Sequence, residues 1–176
     1  MKKLKLDELG RIPAVAYKDA EKIPVVIVLD NVRSLHNVGS AFRTADAFLV
    51  EKIILTGITG TPPNREIHKT ALGATDSVPW EHVMEAAQAV RELKSQGYTV
   101  VCVEQTDESS LLQEYETAPS AKWALVFGNE VNGVSEDVIA LADQAIEIPQ
   151  GGSKHSLNVS VCLGIVVWHF FRQLKL

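Results

Sequence analysis

The chain has 176 residues, 46% of them apolar and 22% charged, with a formal net charge of −5. That length suits one domain with a substantial core and is short for two domains and a linker. No apolar run approaches the roughly 20 residues that span a bilayer, and the lysine-bearing start MKKLKLDELGRIPAVAYKD has no apolar signal core, so a soluble, cytoplasmic protein is expected.

Residues 1–23 read as an N-terminal arm carrying Lys2, Lys3, Lys5, Arg11, Lys18 and Lys22, and residues 24–176 as a single domain. VVIVLD (25–30) is a continuous apolar run of the kind found in strands covered on both faces. Residues 37–48 follow with helical spacing of Ala41, Phe42, Ala45 and Phe48, and KIILTG (52–57) predicts a second strand. The Gly- and Pro-punctuated segment 57–74 predicts a loop holding one short helix near Glu66–Leu72. An amphipathic helix is predicted over Glu81–Gln96, stopped by Gly97. Then come a strand at 99–105, a helical turn at 109–115, a buried strand at 122–129, a Ser135-capped helix at 136–142 and a last strand at 145–148. Ser156, Asn158 and Ser160 stand where the final, almost wholly apolar helix begins. The alternation predicts an α/β domain with a mostly parallel sheet flanked by helices.

Charge is unevenly distributed. Residues 81–116 hold eight acidic side chains against Arg91 and Lys94, so the remainder carries about +1. Its bases cluster as Arg33, His36 and Arg43, as Arg65, His68 and Lys69, and as Lys154 and His155. Either a binding face or scattered solvated charge fits this pattern. Cys102 and Cys162 sit among aliphatics without His or Cys at ligand spacing, which predicts free thiols and no metal site.

Three segments carry polar groups suited to chemistry. In NVRSLHNVGSAFRTADAF (31–48), Asn37, Gly39 and Ser40 make the entry to a helix, and Arg43 lies about one turn beyond Ser40, near the mouth of the sheet. Its guanidinium suits either a phosphate or a surface ion pair. In FGNEVNGVSED (127–137) a buried strand runs into Gly128, Asn129, Glu130, Asn132 and Gly133. Those glycines admit close approach of a ligand or simply a turn, and ligands of open α/β sheets sit beyond the carboxyl ends of the strands. Val134-Ser135 replaces the Lys-Ser/Thr of a P-loop, and no G-x-G-x-x-G follows a strand. In IPQGGSKHSLNVSV (148–161), Ser156 and Asn158 present a hydroxyl and an amide at a helix N-terminus, a place that suits carboxylate, phosphate or ribose oxygens or an ordinary cap.

Together, N-x-G-x-x-x-R at 37–43, F-G-N-E at 127–130 and I-P-Q…S-L-N-V-S-V at 148–161 resemble the TrmH-like (SpoU) branch of the SPOUT RNA methyltransferases, over residues 24–174. The resemblance implies an α/β fold with a C-terminal trefoil knot, an exception to the usual absence of knots. It implies binding of S-adenosylmethionine and a homodimer with the active site at the interface, which would explain a helix apolar on nearly every side. By position, Gly128, Ile148 and Leu157 are expected at the cofactor and Arg43, Glu130, Ser156 and Asn158 at the reacting groups. Asn37, with Arg33 and Lys154 from the basic clusters, is expected at the RNA.

The implied reaction moves a methyl group from the sulfonium to a ribose 2′-hydroxyl of RNA, in which positioning is a large part of catalysis. The family proposal gives activation of the hydroxyl to the motif arginine, here Arg43; guanidinium is essentially always protonated, so Glu130 is preferred as the base and Arg43 as a phosphate grip, and the sequence does not choose between the two. Val131 stands where a glycine commonly follows the glutamate, and Gln150 where a methionine is common. Compact relatives that carry only such an arm commonly act on tRNA, and the IPQ…SLNVSV…VVWHFFRQ ending resembles the branch that methylates guanosine 18 of tRNA, so tRNA is expected over rRNA. A non-catalytic RNA-binding module and a small-molecule α/β enzyme are the two rival readings.

Overall fold

Strands buried on both faces need helices on both sides, and that requirement sets the architecture. The computed structural model describes Met1–Leu176 except for the side chains of Leu6, Asp7, Ala14 and Val15. A short turn of helix, α1 (Ala14–Tyr17), leads into β1 (Ile23–Asp30), α2 (Leu35–Ala47), β2 (Val50–Thr56), α3 (Arg65–Ala71), α4 (Ala74–Ser77) and β3 (Trp80–Val83). The chain continues through α5 (Ala86–Ser95), β4 (Tyr98–Val103), β5 (Ser110–Leu111), β6 (Lys122–Phe127), α6 (Glu136–Ile139), β7 (Gln144–Glu147) and α7 (Val159–Lys175). All seven strands join one parallel sheet in the order β3-β2-β1-β6-β4-β7-β5.

Alternate residues of each central strand serve opposite cores, as the two-residue period of a strand requires. Val25, Ile27 and Leu29 of β1 pack with α2, α3 and α7, whereas Val26 and Val28 pack with α5 and α6. Tyr17 also belongs to the first core, and its hydroxyl donates to the Ala45 carbonyl, so the end of the arm is packed on the domain. Where α2 crosses α3, a Cβ on Gly39 would lie 2.1 Å from the Thr70 hydroxyl and 2.3 Å from the Ile67 carbonyl. That glycine therefore serves helix packing rather than the entry to α2. No helix among the described residues is long and apolar enough to cross a membrane.

The predicted α/β alternation and parallel sheet are present, with three local differences. Residues 80–83 form the edge strand β3 and α5 begins only at Ala86, although a helix was expected from Glu81. The edge exposes Trp80, Glu81 and His82, so no buried run marks it as a strand, and the apolar period of α5 starts with Ala86 and Ala87. The turn expected at 109–115 is β5 followed by a 3₁₀ turn at Leu112–Glu114. Helix α4 was not expected at all.

Ser135 stands at the N-cap position of α6, but its hydroxyl is used elsewhere. Asp30, only 1% exposed at the end of β1, accepts from the Ser135 backbone N–H at 2.8 Å and from its hydroxyl at 2.7 Å. The second carboxylate oxygen accepts from the Asn31 side-chain amide at 2.8 Å. This pairing fastens the loop after β6 to the end of β1. Asp30→Ala leaves the half-buried Ser135 donors without their partner, and urea unfolding should record a loss of about 1–3 kcal/mol, whereas a loss near zero would mean the contact does not hold the loop.

Candidate active site

Parallel strands place their carboxyl ends on one edge of the sheet, and a cavity of about 550 Å³ opens there, at the ends of β4, β6 and β7. Its size is that of a cofactor or small-ligand site. Phe127, Ile146, Ile148, Leu157 and Val159 give it apolar walls, while Gly128, Glu130, Ser156 and Asn158 supply backbone and polar groups. Six of the residues predicted for the site thus converge on one cavity. A Cβ on Gly128 would come within 1.9–2.0 Å of the Gly133 carbonyl carbon and the Val134 nitrogen. The loop folds back on itself there, with Asn129 and Gly133 exchanging backbone hydrogen bonds of 3.0 and 3.1 Å. Gly128 is therefore demanded by the turn itself.

Glu130 leaves that turn pointing at the N-terminus of α2. Its Oε2 accepts from the Arg33 backbone N–H at 3.1 Å, and its Oε1 from the Ser34 N–H at 3.1 Å and the Asn37 side-chain amide at 3.0 Å. Ser34 is the N-cap of α2, so the carboxylate sits where unpaired N–H groups and the helix dipole favour an anion. Asn37 in turn accepts from the Asn158 amide at 3.2 Å. Asn158 caps α7, its Oδ1 accepting from the Ser160 N–H at 2.9 Å and hydroxyl at 2.7 Å. A single hydrogen-bonded chain therefore joins all three motif segments.

This arrangement alters what Glu130 can do. Partial burial pushes its carboxyl up, but the hydrogen bonds from backbone N–H groups and from Asn37 together outweigh that and hold it below the usual glutamate range. A carboxylate already holding three donors and acidified by them is a poor proton acceptor at neutral pH. These bonds favour Glu130 as a positioning group over its expected role as the base.

Arg43 is not in this cavity. Six residues along α2 from Asn37 amount to roughly 600° of turn at about 100° per residue, which carries Arg43 away from the Asn37 side of the helix. It is exposed and lines two other surface hollows, one with Ser40, Thr44, Ala47 and Phe48, the other with Arg11 and Asp46. The reading that placed it near the mouth of the sheet is therefore corrected for a single chain. Of the residues expected at RNA, Asn37 joins the network, Arg33 does so only through its backbone, and Lys154 is exposed without lining the cavity.

Residues 24–168 match the SpoU rRNA Methylase family. The chain belongs to this family. A 23S rRNA (guanosine-2′-O-)-methyltransferase RlmB from Nitrosomonas europaea is 36% identical over 149 residues, 85% of this chain and 56% of that protein. Among solved structures, an A. aeolicus TrmH/SpoU tRNA modifying enzyme superposes with a TM-score of 0.79 at 30% identity, over 91% of this chain and 79% of that one. An AdoMet-bound rRNA methyltransferase from Sinorhizobium meliloti gives 0.81 at 27% identity, over 91% and 61%. The chain spans somewhat over half the length of the curated relatives it matches.

Within this SpoU-family domain the sequence reading missed Glu104, at the end of β4, and Cys162, on α7, both of which line the cavity. The signal for Glu104 was available, because an acid ending an apolar parallel strand stands at the ligand edge of the sheet. The Cys162 thiol is pushed up to about 11 by burial and secondarily by Glu104, so it stays protonated and acts as wall.

Because Glu130 is more acidic in the folded chain than in the unfolded one, its contribution to stability is full above the unfolded glutamate pKa and fades as pH falls through the folded value. Thermal melts of Glu130→Gln should therefore fall furthest below wild type at neutral pH and approach it on acidification below about pH 4. A gap that stays constant with pH would contradict the carboxylate's role in the network.

Proposed function

We propose that this chain is an S-adenosylmethionine-dependent RNA 2′-O-ribose methyltransferase. The observation that carries the reading is the convergence of Gly128, Ile148, Leu157, Ser156 and Asn158 on one cavity in a SpoU-family domain. The residues present fit the cofactor: apolar walls suit an adenine ring, and exposed loop backbone beside them suits its polar edge and ribose. Gly128, Ile148 and Leu157 would hold it. When bound, S-adenosylmethionine supplies an electrophilic methyl group on sulfur. Ser156 and Asn158, at the cavity rim and the start of α7, would orient the ribose. Glu130 acts as the strut that fixes Asn37 and, through it, Asn158.

A second copy completes the site in this reading. Val161, Ile165 and Trp168 of α7 are 52%, 40% and 46% exposed, a large apolar face for one helix. Trp168 packs on Phe48 with ring centroids 5.7 Å apart, so this face continues onto the side of α2 that carries Arg43. A homodimer formed on it would bring Arg43 towards the partner's cavity, where the guanidinium grips the phosphate beside the target ribose. In this reading the C-terminus forms the family's trefoil knot, and the pairing of β7 outside β4 followed by the packing of α7 on α2 supports it. Residues 1–23 remain an arm flanking the methyltransferase domain, and the two unpaired thiols suit a reducing cytoplasm.

The expectation of tRNA gives way to rRNA as the favoured substrate. The curated relatives at 36% and 34% identity are 23S rRNA guanosine methyltransferases, and the compact length that favoured tRNA carries less weight than those identities. Incubation with methyl-labelled S-adenosylmethionine and unmodified 23S rRNA or tRNA, followed by nucleoside analysis, should yield label in 2′-O-methylguanosine, with rRNA the better acceptor. Label on a base, or none in either RNA, would refute the reading.

Two substitutions test the shared site. Trp168→Glu should convert dimer to monomer in sedimentation and reduce methyl transfer at least about a hundredfold, since it separates Arg43 from the partner's cavity. A monomeric variant with wild-type turnover would remove the argument for the dimer. Arg43→Ala should leave cofactor affinity within about twofold of wild type while RNA transfer falls by about two orders of magnitude, and a large loss of cofactor binding would place Arg43 elsewhere.

A further inference from the structure

Among the described residues, three carboxylates line the cavity, Glu104, Glu130 and Glu147, together with His155 and with neither lysine nor arginine. Glu130 is turned towards α2 and is held by its N-terminus. Glu104 is different. Its Oε1 accepts from the Gln105 N–H at 2.9 Å and its Oε2 from the Val134 N–H at 3.0 Å, so the group is fixed between β4 and the loop after β6. Gly133 accommodates it: with φ at +69° and a notional Cβ only 2.1 Å from Oε2, no larger residue fits over the carboxylate. Two backbone donors leave a carboxylate further acceptor sites. Its field reaches across the cavity, where it helps to push up the Cys162 thiol on α7.

A fixed negative charge in a partly enclosed cavity distinguishes ligands by charge. The methyl donor carries a sulfonium, an ammonium and a carboxylate, a net charge of +1 by their chemistry, roughly one unit above the product that remains once the methyl group has left. We propose that Glu104 is a specificity residue of the cofactor cavity, whose fixed carboxylate makes the site favour S-adenosylmethionine over neutral S-adenosylhomocysteine. The inference rests on the cofactor reading given above. It gives the site a means of shedding product: the charge that holds the donor loses its counterpart when the methyl group moves to RNA.

Calorimetric titration of the full chain with each compound tests this without any turnover. In Glu104→Gln the dissociation constant of S-adenosylmethionine should rise about three- to tenfold while that of S-adenosylhomocysteine changes less than about twofold, and Glu104→Asp should keep the wild-type ratio. Equal weakening of both compounds by Glu104→Gln would overturn the proposal and leave Glu104 only a clamp for the loop at Val134. Wild-type protein that binds neither compound would instead overturn the cofactor reading, and the proposal with it. If Glu104→Gln does not fold in a thermal melt, the wild-type salt dependence decides. Raising salt from about 0.05 M to about 0.5 M should weaken the cationic ligand and spare the neutral one, and an unchanged ratio would overturn the proposal.

Discussion

One carboxylate holds the site together. Glu130 accepts from the backbone of Arg33 and Ser34 and from the Asn37 amide, tying the turn after β6 to the first turn of α2, and Asn37 extends the connection to Asn158 at the start of α7. Helix N-termini offer unpaired N–H groups and partial positive charge, so an anion there is stabilised by geometry that the helix already possesses. The segments carrying Glu130 and Asn158 lie 93 and 121 positions beyond Asn37 in sequence, and this carboxylate brings them into register with it. Positioning of that kind suits the proposed methyl transfer, in which the acceptor oxygen must be aligned with the carbon it attacks.

The sheet makes this possible. Seven parallel strands deliver their carboxyl ends to one edge, and the strand order sets β6 beside both β1 and β4. Loops from all three consequently meet. Asp30 at the end of β1 and Glu104 at the end of β4 each accept from the segment at Val134–Ser135, so the turn carrying Glu130 is anchored from both neighbours. Acids at strand ends thus perform a structural task on either side of a cavity whose own walls mix apolar and polar groups. The exposed face of α7 is the other constraint, since its valine, isoleucine and tryptophan make an apolar patch, and the proposed dimer would form on it.

Much of this was legible in the sequence where burial imposes a pattern. VVIVLD, KIILTG and KWALVF read as strands because both faces are covered, and each is a strand within two residues of the expected bounds. Trp80–Val83 did not, because an exposed edge strand imposes no apolar run and its charged residues continue smoothly into the period of α5. Within the site, the three motif segments were recognisable and their convergence is real. What spacing could not convey was the turn of α2 that carries Arg43 away from Asn37. Nor could it convey the partners of Glu130, which are mostly backbone atoms 93 to 97 positions away and leave no trace in residue type. Those partners changed the reading of Glu130 from a base to a strut.

The most direct test of that account is the pH dependence of methyl transfer in wild type and Glu130→Gln, measured under single turnover with saturating cofactor. If the carboxylate acts by positioning, the variant, whose amide oxygen still accepts from the N-terminus of α2, is slower by no more than about tenfold at every pH above about 5, and the two profiles converge in acid as the wild-type carboxylate protonates. If Glu130 takes the hydroxyl proton, the variant loses about 10²–10⁴-fold over that same range, and the account fails.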